Sequence, residues 1–345
     1  MAKLTYKDAG VDIDAQDDAL AGAKDAIRAS FTPGVLGDVG LFGGLFDPER
    51  VGAGGSILVA TADGVGTKLE VARRAGVYDT VGRDLVQHCI GDVLVQGARP
   101  LFFLDYAAMG TLEPTIVSAL IRGCAEACRE HGLALLGGET AEMPGLYSRG
   151  DFELVGFLVG AVERENLIDG SRLAAGQVLL GLGSDGLHTN GYSLARRILF
   201  EIAGFELGDH PDELGGPSVQ EALLAPHRAY HTALLPLIGE RRITGLAHIT
   251  GGGLAGNVVR ILPDAIDAWI DRTAWPRPAL FETLVRRGEL AQDEAFRAFN
   301  MGIGMVAAVE RDDADAVRAA LEAAGERVFV LGELRPGTGA VRWIQ

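Results

Sequence analysis

Residues 56–160 alternate short apolar runs with segments of helical periodicity, and this alternation limits the possible folds more than any other feature. The apolar runs are Ile57–Thr61, Leu101–Leu104, Leu133–Leu136 and Leu154–Val159. Runs of this length are typical of buried strands, whereas Val81–Gly97 and Pro114–His131 repeat apolar residues at helical spacing. A proline near the first turn and Gly132 after the last turn mark the ends of the second helix. The first half of the chain therefore predicts an α/β domain.

The second half begins a new pattern. Val162–Gly170 is polar, and a fresh strand is predicted at Val178–Leu182. We place the domain boundary near residue 169, which gives an N-terminal domain of residues 1–168 and a C-terminal α/β domain of residues 169–345. A length of 345 residues agrees, because single domains usually hold about 100–200 residues. The second domain predicts a helix after Asn190, a helix at Leu254–Leu262, a strand at Gly302–Val309, a helix at Asp313–Ala324 and a strand at Val328–Leu331.

Composition narrows the class of protein. A net charge of −16 would repel polyanions, so we expect no nucleic-acid partner. No apolar run reaches the roughly 18 residues of a membrane-spanning helix, and the N-terminus shows no apolar signal core, so we expect a cytoplasmic protein that does not contact a membrane. Cys89, Cys124 and Cys128 fall in predicted helices, where buried free thiols are favoured over a metal or redox pair.

Residues 1–46 are rich in glycine and offer few regular elements. Seven of the 48 glycines of the chain lie in this stretch, and five of these, Gly34, Gly37, Gly40, Gly43 and Gly44, fall close together near its end. Such a segment suits a mobile flap over a bound nucleotide, and a poorly ordered arm is the alternative.

Three of the predicted strands lead into a carboxylate. These acids are Asp63, Asp105 and Glu139, the last reached through two glycines. Strand ends are common positions for functional residues. Several carboxylates converging on one edge would repel one another unless a hard cation neutralised them, and Mg²⁺ takes oxygen ligands while bridging to phosphates. The set therefore predicts a magnesium–nucleotide site, although any single acid could be a solvated strand end.

The helix Val81–Gly97 carries a polar face. Asp84, His88 and Asp92 are spaced by four residues and so share one side of the helix. This face points either to water or into a site.

Asp63–Lys68 has the composition of a phosphate-binding loop. Two glycines stand between an acid and a hydroxyl-plus-cation pair, so the backbone can approach a polyphosphate while Lys68 offers a positive charge. The spacing differs from that of a Walker A loop, and a structural turn is an equally good reading of the hexapeptide alone.

Two segments of the second half also suit ligand binding. Thr250–Gly253 precedes a predicted helix, whose free N–H groups would form an anion site, with a flexible loop as the alternative. Ser184–Ser193 links a strand to a helix, and His188 within it is either a ligand contact or a turn residue.

Taken together, several stretches resemble the aminoimidazole ribonucleotide synthetases, also called phosphoribosylformylglycinamidine cyclo-ligases. The matching stretches are Tyr6–Ala15, Thr61–Lys68, Val95–Ala98, Leu101–Tyr106, Gly137–Gly145, Asn190–Leu194, His248–Gly253 and Phe299–Met305. They run in one order through nearly the whole chain. The resemblance implies two α/β domains, the first of which pairs with its copy in a homodimer to form a β-barrel interface.

The resemblance also implies a reaction. The family converts formylglycinamidine ribonucleotide and ATP to 5-aminoimidazole ribonucleotide, ADP and phosphate in de novo purine biosynthesis. The formyl amide oxygen is phosphorylated first, and the ribose-bearing amidine nitrogen then closes the ring and expels phosphate. The protein's part is mainly positioning and charge neutralisation.

Site residues follow from the matching positions. The resemblance implies Mg²⁺ ligands at Asp63, Asp92, Asp105 and Glu139; ATP contacts at Gly64, Gly66, Thr67 and Lys68, with Lys24 as a further candidate; a ribonucleotide-phosphate site at Thr250, Gly251, Gly252 and Gly253; and substrate contacts at His188 and Asn190. The expected catalytic residues are Asp63, Lys68, Glu139, His188 and Asn190.

Three positions depart from the family pattern. Gly91 stands where an asparagine is usual, Gly256 stands where a glutamate is usual, and His88 stands where an apolar residue is common. We therefore expect His88 to be structural or incidental, and position 256 has no assigned role.

Other members of the superfamily are the alternatives. A selenophosphate synthetase would need a reactive cysteine or selenocysteine in the N-terminal arm, and no cysteine precedes Cys89. A thiamine monophosphate kinase would share the fold but not the stretches Gly137–Gly145 and Phe299–Met305. A non-catalytic nucleotide-binding protein could lose the site acids, whereas Asp63, Asp105 and Glu139 are all present.

Overall fold

The chain folds around two β-sheets, one in each half. A computed structural model of the protein describes residue 5 and residues 7–9, 33–38, 42, 44–51 and 54–344. Most of the predicted arm at residues 1–46 lies outside the described residues, as does Lys24. The end of that arm, Gly44–Phe46, is a strand that pairs with the first predicted strand.

Five strands of the described chain form the N-terminal sheet. They are β1 (Gly44–Phe46), β2 (Ile57–Gly64), β3 (Arg99–Met109), β4 (Ala134–Glu142) and β5 (Phe152–Val162). Their order is β1-β2-β5-β3-β4, with β3 and β4 parallel and the other neighbours antiparallel. The sheet is open, with β1 and β4 at its edges, so the described part of a single chain forms no closed barrel.

β3 and β4 are longer than their apolar runs predict. Asp105 lies in the interior of β3, and Glu139 lies in the interior of β4, so neither acid stands at a strand end as predicted. The strands continue because backbone pairing does not require apolar side chains. Residues 105–109 pair with residues 138–142 on one side and residues 152–156 on the other. The register between neighbouring strands decides where these acids lie, and the apolar pattern of one strand does not contain that register.

Three helices accompany this sheet: α1 (Lys68–Ala75), α2 (Asp79–Leu94) and α3 (Pro114–Glu130). Helices α2 and α3 cross closely, because a Cβ on Gly82 would lie 2.3 Å from the Leu120 carbonyl oxygen and one on Gly123 would lie 2.0 Å from that of Asp79. Packing at this distance excludes larger side chains. The three cysteines are buried and free, as predicted.

Six strands form the C-terminal sheet. They are β6 (Val178–Gly183), β7 (Gly245–His248), β8 (Ile266–Asp271), β9 (Ile303–Val309), β10 (Val328–Pro336) and β11 (Val341–Ile344), in the order β11-β8-β10-β6-β9-β7. β8 and β11 are parallel, and the other neighbours are antiparallel. The sequence pattern did not predict β7, β8 or β11, which are short or have polar residues among their apolar ones.

Seven α-helices pack in this half: α4 (Tyr192–Arg196), α5 (Val219–Leu224), α6 (His231–Gly239), α7 (Gly253–Val258), α8 (Ala279–Arg287), α9 (Gln292–Ala298) and α10 (Ala314–Ala323). α4 continues as a π-helix over Arg197–Ile202. α7 is shorter than predicted, because the chain tightens into a 3₁₀ turn at Val259–Ile261 before Pro263.

The two halves are joined by the segment between Val162 and Val178, and the predicted boundary at residue 169 falls within it. Side chains of α2 contact the second half directly, as the site described below shows. Across the described ranges, no helix combines the length and apolar character needed to span a membrane.

Asp267 holds the C-terminal strand, and its loss should weaken the fold in a pH-dependent way. Oδ1 accepts hydrogen bonds from the Thr338 and Ala340 amides at 2.7 and 2.9 Å, and Oδ2 accepts one from Arg342 at 2.9 Å. These bonds lower the pKa of Asp267 to about 2. A lowered pKa stabilises the fold above the unfolded pKa of about 3.9, and the stabilisation disappears as pH falls toward the folded value.

We therefore expect Asp267→Asn to lower the urea midpoint at neutral pH, with a difference from wild type that shrinks between about pH 5 and pH 2. Urea unfolding across this range measures it. Asp312→Asn, at an exposed acid, is the control and should follow wild type throughout. A deficit in Asp267→Asn that stays constant with pH would show that the carboxylate charge is not its cause.

Candidate active site

The loop Asp63–Lys68 connects β2 to α1 where the two domains meet. Gly66 has a φ of +67°, a conformation that favours glycine. A Cβ at Gly66 would lie 3.9 Å from the Thr189 carbonyl oxygen, and the Thr67 hydroxyl lies 2.9 Å from the Ser193 hydroxyl. The structure thus brings together two candidate motifs, Asp63–Lys68 and Ser184–Ser193, from opposite halves of the sequence.

Lys68 is an interior residue of this structure. Its side chain is fully buried, with Nζ 2.6 Å from Asp84 Oδ2 and donating to the Ala225 carbonyl oxygen at 2.8 Å. Burial lowers the pKa of Lys68, and the Asp84 carboxylate opposes that change. Asp84 also accepts from the His227 amide at 2.7 Å. The expected free charge for a phosphate is therefore absent from the loop surface, and Lys68 instead connects α1 to α2 and to the second domain.

His88 lies between two of the predicted site acids. Its Nε2 is 2.5 Å from Asp63 Oδ2 and 4.0 Å from Asp92 Oδ2, while its Nδ1 is 2.7 Å from the Thr189 hydroxyl. Burial opposes protonation, but the Asp63 and Asp92 carboxylates outweigh it and raise the pKa of His88 to about 9. Burial raises the pKa of Asp63, yet His88 outweighs that effect and lowers it. His88 thus neutralises acids and bridges the domains, so it is not incidental.

The four acids expected around Mg²⁺ do not converge in one chain. In the described part of the protein, Asp63 and Asp92 form a cluster with His88 whose potential ligand atoms lie within 4.8 Å of one another, and this cluster includes neither Asp105 nor Glu139. The sheet register explains the difference. Asp105 and Asp63 lie in one cross-strand row, but the intervening strand β5 separates them. Glu139 belongs to the next row, so it lies on the opposite face and is exposed.

His188 and Asn190 occupy different environments. His188 is 1% exposed and has a φ of +61°, and its ring stacks on His227 with centroids 4.0 Å apart. Burial lowers the pKa of His188 well below its usual value, so the ring is neutral. Of its two predicted roles, the geometry favours the turn residue. Asn190 instead lies beside the second predicted phosphate loop, because a Cβ on Gly251 would be 3.3 Å from its Oδ1.

Asn257 holds that second loop, Thr250–Gly253, in place. Its Nδ2 donates to the carbonyl oxygens of Thr250, Gly251 and Gly253 at 3.3, 3.2 and 2.8 Å. A Cβ on Gly253 would lie 1.8 Å from the Phe296 carbonyl oxygen, so only glycine fits there. These contacts favour a well-packed loop over the flexible alternative.

A cavity of about 360 Å³ opens beside this loop. Gly252 and Gly256 line it together with Arg272, Arg297 and Trp343. Apart from its chain neighbours and the backbone of its own helix, no described atom lies within 4 Å of the Cβ position of Gly256. The departure from the family pattern at this position thus leaves the cavity open, where a glutamate would enter it.

Sequence reasoning missed two arginines near the first loop. Arg196 and Arg197 line a cavity of about 290 Å³ with Asp8, Ser193 and Glu201. Ser193 joins this cavity to Thr67 through the hydroxyl contact described above. The available signal was that both arginines lie two and three residues after the motif Asn190–Leu194.

A cluster of buried histidines lies behind Asp63 and was also missed. His88 lies close to His227 and His248, with ring centroids 5.2 and 5.0 Å away, and His248 Nδ1 is 2.9 Å from Asp92 Oδ1. A Cβ on Gly91 would lie 2.6 Å from His248 Cε1. The glycine departure at position 91 therefore provides the space that the His248 ring occupies. These residues are far apart in sequence, so no local pattern connects them.

The fold, with the loop Asp63–Lys68 in contact with the segment Ser184–Ser193 of the other half, defines a class of two-domain α/β proteins. Within that class, the chain belongs to the AIR synthase family. The model for AIR synthase related protein, N-terminal domain, matches residues 39–162, and that for the C-terminal domain matches residues 174–344. The predicted family is confirmed.

Relatives in this family are similar over their full length. The chain is 48% identical to a phosphoribosylformylglycinamidine cyclo-ligase of Geobacter metallireducens over 99% of each chain. It is 49% identical to the enzyme of that name from Sorangium cellulosum, over 96% of this chain and 95% of the relative.

More distant solved structures share the fold. A thiamine-monophosphate kinase from Stenotrophomonas maltophilia superposes with a TM-score of 0.65 at 21% identity, over 94% of this chain and 95% of that one. The hydrogenase maturation protein HypE in complex with ATP gives a TM-score of 0.60 at 17% identity, over 83% and 81%. At these identities the likeness shows the two-domain α/β fold alone.

Proposed function

We propose that this protein catalyses the ATP-dependent cyclisation of formylglycinamidine ribonucleotide to 5-aminoimidazole ribonucleotide, releasing ADP and phosphate, as a step of purine biosynthesis. One observation carries the proposal: 48% identity to a cyclo-ligase over 99% of both chains. That match spans both glycine loops, Asp63–Lys68 and Thr250–Gly253. The three free, buried thiols suit the reducing cytoplasm, which is the expected compartment.

The ATP phosphates are proposed to lie at the loop Asp63–Lys68. Gly64 and Gly66 allow close backbone approach, and the hydroxyl of Thr67 points to the cavity that Arg196 and Arg197 line. These arginines supply positive charge beside the loop, where Lys68 is buried. Lys68 stabilises the loop from the protein interior through its ion pair with Asp84.

The residues present fit a magnesium ion at Asp63. Mg²⁺ usually binds through one or two carboxylates and completes its shell with phosphate oxygens and water. The Asp63 side chain is 41% exposed, whereas that of Asp92 is 8% exposed and lies behind His88. Asp63 would therefore hold the ion directly. Both oxygens of Asp92 accept hydrogen bonds, from Thr61 and His248, so Asp92 would support the site from behind His88. When bound, Mg²⁺ would neutralise charge on the transferring phosphoryl group.

The ribonucleotide phosphate is proposed to bind at Thr250–Gly253, beside the cavity lined by Arg272 and Arg297. Asn190 lies between this loop and Thr189, which contacts the first loop. The substrate would thus extend from the second loop toward the ATP γ-phosphate. Holding the formyl oxygen in line with that phosphate, and the amidine nitrogen near the formyl carbon, accounts for the chemistry by positioning.

A homodimer through the N-terminal sheet is part of the proposal. One face of this sheet is covered by α2, while Phe157 and Leu136 are 41% and 64% exposed. Exposed apolar residues of this size on a sheet favour contact with another surface. Glu139 is on the uncovered face, so a role for it in turnover would require that second copy.

Purified protein mixed with formylglycinamidine ribonucleotide and Mg·ATP should yield equal amounts of ADP and 5-aminoimidazole ribonucleotide. Separation of products by liquid chromatography measures both. Thiamine monophosphate in place of the ribonucleotide is the control and should give no phosphorylated thiamine product. Failure to form the imidazole at any tested concentration of Mg²⁺ or K⁺ would refute the proposed activity.

A further inference from the structure

Three buried histidines from separate elements meet behind Asp63. His88 belongs to α2, His227 precedes α6 and His248 ends β7, and their exposed fractions are 2%, 1% and 0%. Each offers a ring nitrogen, and these three nitrogens lie within 4.8 Å of one another. The proposed reaction uses neither His227 nor His248, so their burial together requires a separate explanation.

The hydrogen bond of His227 fixes its tautomer. Its Nδ1 lies 3.1 Å from the carbonyl oxygen of Arg228. A carbonyl oxygen can only accept, so Nδ1 must carry the hydrogen. The other ring nitrogen of a neutral His227, Nε2, then presents a lone pair.

His248 is oriented in the same way from the opposite side. Its Nδ1 lies 2.9 Å from Asp92 Oδ1, and the other oxygen of this carboxylate accepts from the Thr61 hydroxyl at 3.0 Å. Nδ1 of His248 therefore donates to Asp92. Its Nε2 is left to face His227.

The two Nε2 atoms are 3.3 Å apart. Two lone pairs at this distance repel each other, so either a proton or a metal ion must lie between them. Two nitrogens bound to a tetrahedral Zn²⁺ at the usual distance are about 3.3–3.4 Å apart. Metal-binding histidines usually donate from their second ring nitrogen to a carboxylate or a carbonyl oxygen, which orients the ring. His248 donates in this way to the Asp92 carboxylate, and His227 donates to the Arg228 carbonyl oxygen.

His88 is the third ring of the cluster. Its Nε2 contacts Asp63 and its Nδ1 contacts Thr189, so His88 must release one of these bonds, together with the proton on that nitrogen, to bind a metal ion. The His248 ring reaches this place because Gly91 has no side chain, as a Cβ there would lie 2.6 Å from Cε1. His188, stacked on His227, covers the cluster from the second domain.

We propose that His88, His227 and His248 form a binding site for a divalent transition metal, with Zn²⁺ as the expected occupant. Imidazole nitrogen suits Zn²⁺, whereas Mg²⁺ requires oxygen ligands, so the site would not compete for the ion that accompanies ATP. Three protein ligands leave a fourth coordination position open. The ligands come from both domains, so the bound ion would stabilise the contact between the two domains.

Zinc binding to the full-length protein tests the proposal. After dialysis against a chelator, the protein is titrated with Zn²⁺ in competition with a chromophoric chelator, in the presence of excess Mg²⁺. We expect one equivalent of Zn²⁺ per chain, and Co²⁺ in its place should give the intense visible absorption of a tetrahedral nitrogen site. His227→Gln should weaken Zn²⁺ binding by at least about 100-fold, because even the loss of an outer-shell partner costs 10–100-fold.

His131→Gln is the matched control. His131 contacts His231 in another histidine pair, with ring centroids 4.9 Å apart, and lies outside the cluster. This variant should bind Zn²⁺ like wild type. If His227→Gln is less stable than wild type, thermal unfolding with and without Zn²⁺ still tests the site. Zn²⁺ should raise the Tm of wild type and His131→Gln but not that of His227→Gln.

Two results would overturn the proposal. One is wild-type protein that binds less than one equivalent of Zn²⁺ and shows no Zn²⁺-dependent rise in Tm, which would assign the space between the two Nε2 atoms to a proton. The other is equal Zn²⁺ affinity in wild type and His227→Gln. Neither result bears on the cyclo-ligase assay, which contains no Zn²⁺.

Discussion

Replacement of Lys68 by methionine should lower the free energy of unfolding by about 3–5 kcal/mol, because it leaves the Asp84 carboxylate buried without a counter-ion. Both side chains are fully buried, and their charged atoms are 2.6 Å apart. Methionine keeps an unbranched chain of similar length, so the loss reflects charge more than volume. Urea denaturation of wild type and Lys68→Met at neutral pH measures the difference.

The double variant Lys68→Met/Asp84→Asn separates this effect from catalysis. The His227 amide donates to Asp84 at 2.7 Å in the wild-type structure. An asparagine at position 84 can still accept this hydrogen bond and carries no charge. We expect it to recover most of the stability that Lys68→Met loses. If cyclo-ligase activity returns with stability, Lys68 acts by supporting the loop. Recovered stability without activity would instead show that the Lys68 ammonium contacts a phosphate, and a stable single variant would contradict the burial argument.

The sequence predicted those parts of the fold that depend on local patterns. Apolar runs located β2, β3, β5, β6 and β9, and helical spacing located α2 and α3 to within a few residues. Register is set by contacts between strands distant in sequence, which no local pattern contains. Asp105 and Glu139 therefore lie inside β3 and β4 and not at the predicted strand ends, and one residue of register decides which face of the sheet each side chain occupies.

The candidate site likewise has parts that the sequence could predict and parts that it could not. Both glycine loops and Asp63 could be proposed as site residues from sequence, because their residue types suit phosphate and metal binding. Whether Lys68 is a surface cation or a buried one depends on Asp84 and on Ala225, which lies 157 residues away along the chain. The histidine cluster could not be predicted for the same reason. His227 and His248 lie far from His88 in sequence, and no sequence motif contains all three residues.

Asp63→Asn should lower kcat/KM for Mg·ATP on the order of 10³-fold, because it removes the most exposed carboxylate of the Asp63–His88–Asp92 cluster. The fold should change little, since an asparagine oxygen can still accept a hydrogen bond from His88 Nε2, which lies 2.5 Å from the present carboxylate. Steady-state rates of ADP release across a range of Mg²⁺ concentrations measure the effect, and the half-saturating Mg²⁺ concentration should rise in the variant.

Glu70→Gln provides the comparison for Asp63→Asn. Glu70 is an acid of α1 whose carboxylate lies 2.6 Å from Arg73 of the same helix. Its substitution should leave both kcat/KM and the Mg²⁺ dependence close to wild type. If Asp63→Asn lost activity with an unchanged Mg²⁺ dependence, Asp63 would act through His88 and Thr189 on the domain interface and not through the metal. Because Asp63 is half exposed and His88 is buried, the metal-dependent outcome is the one that the structure favours.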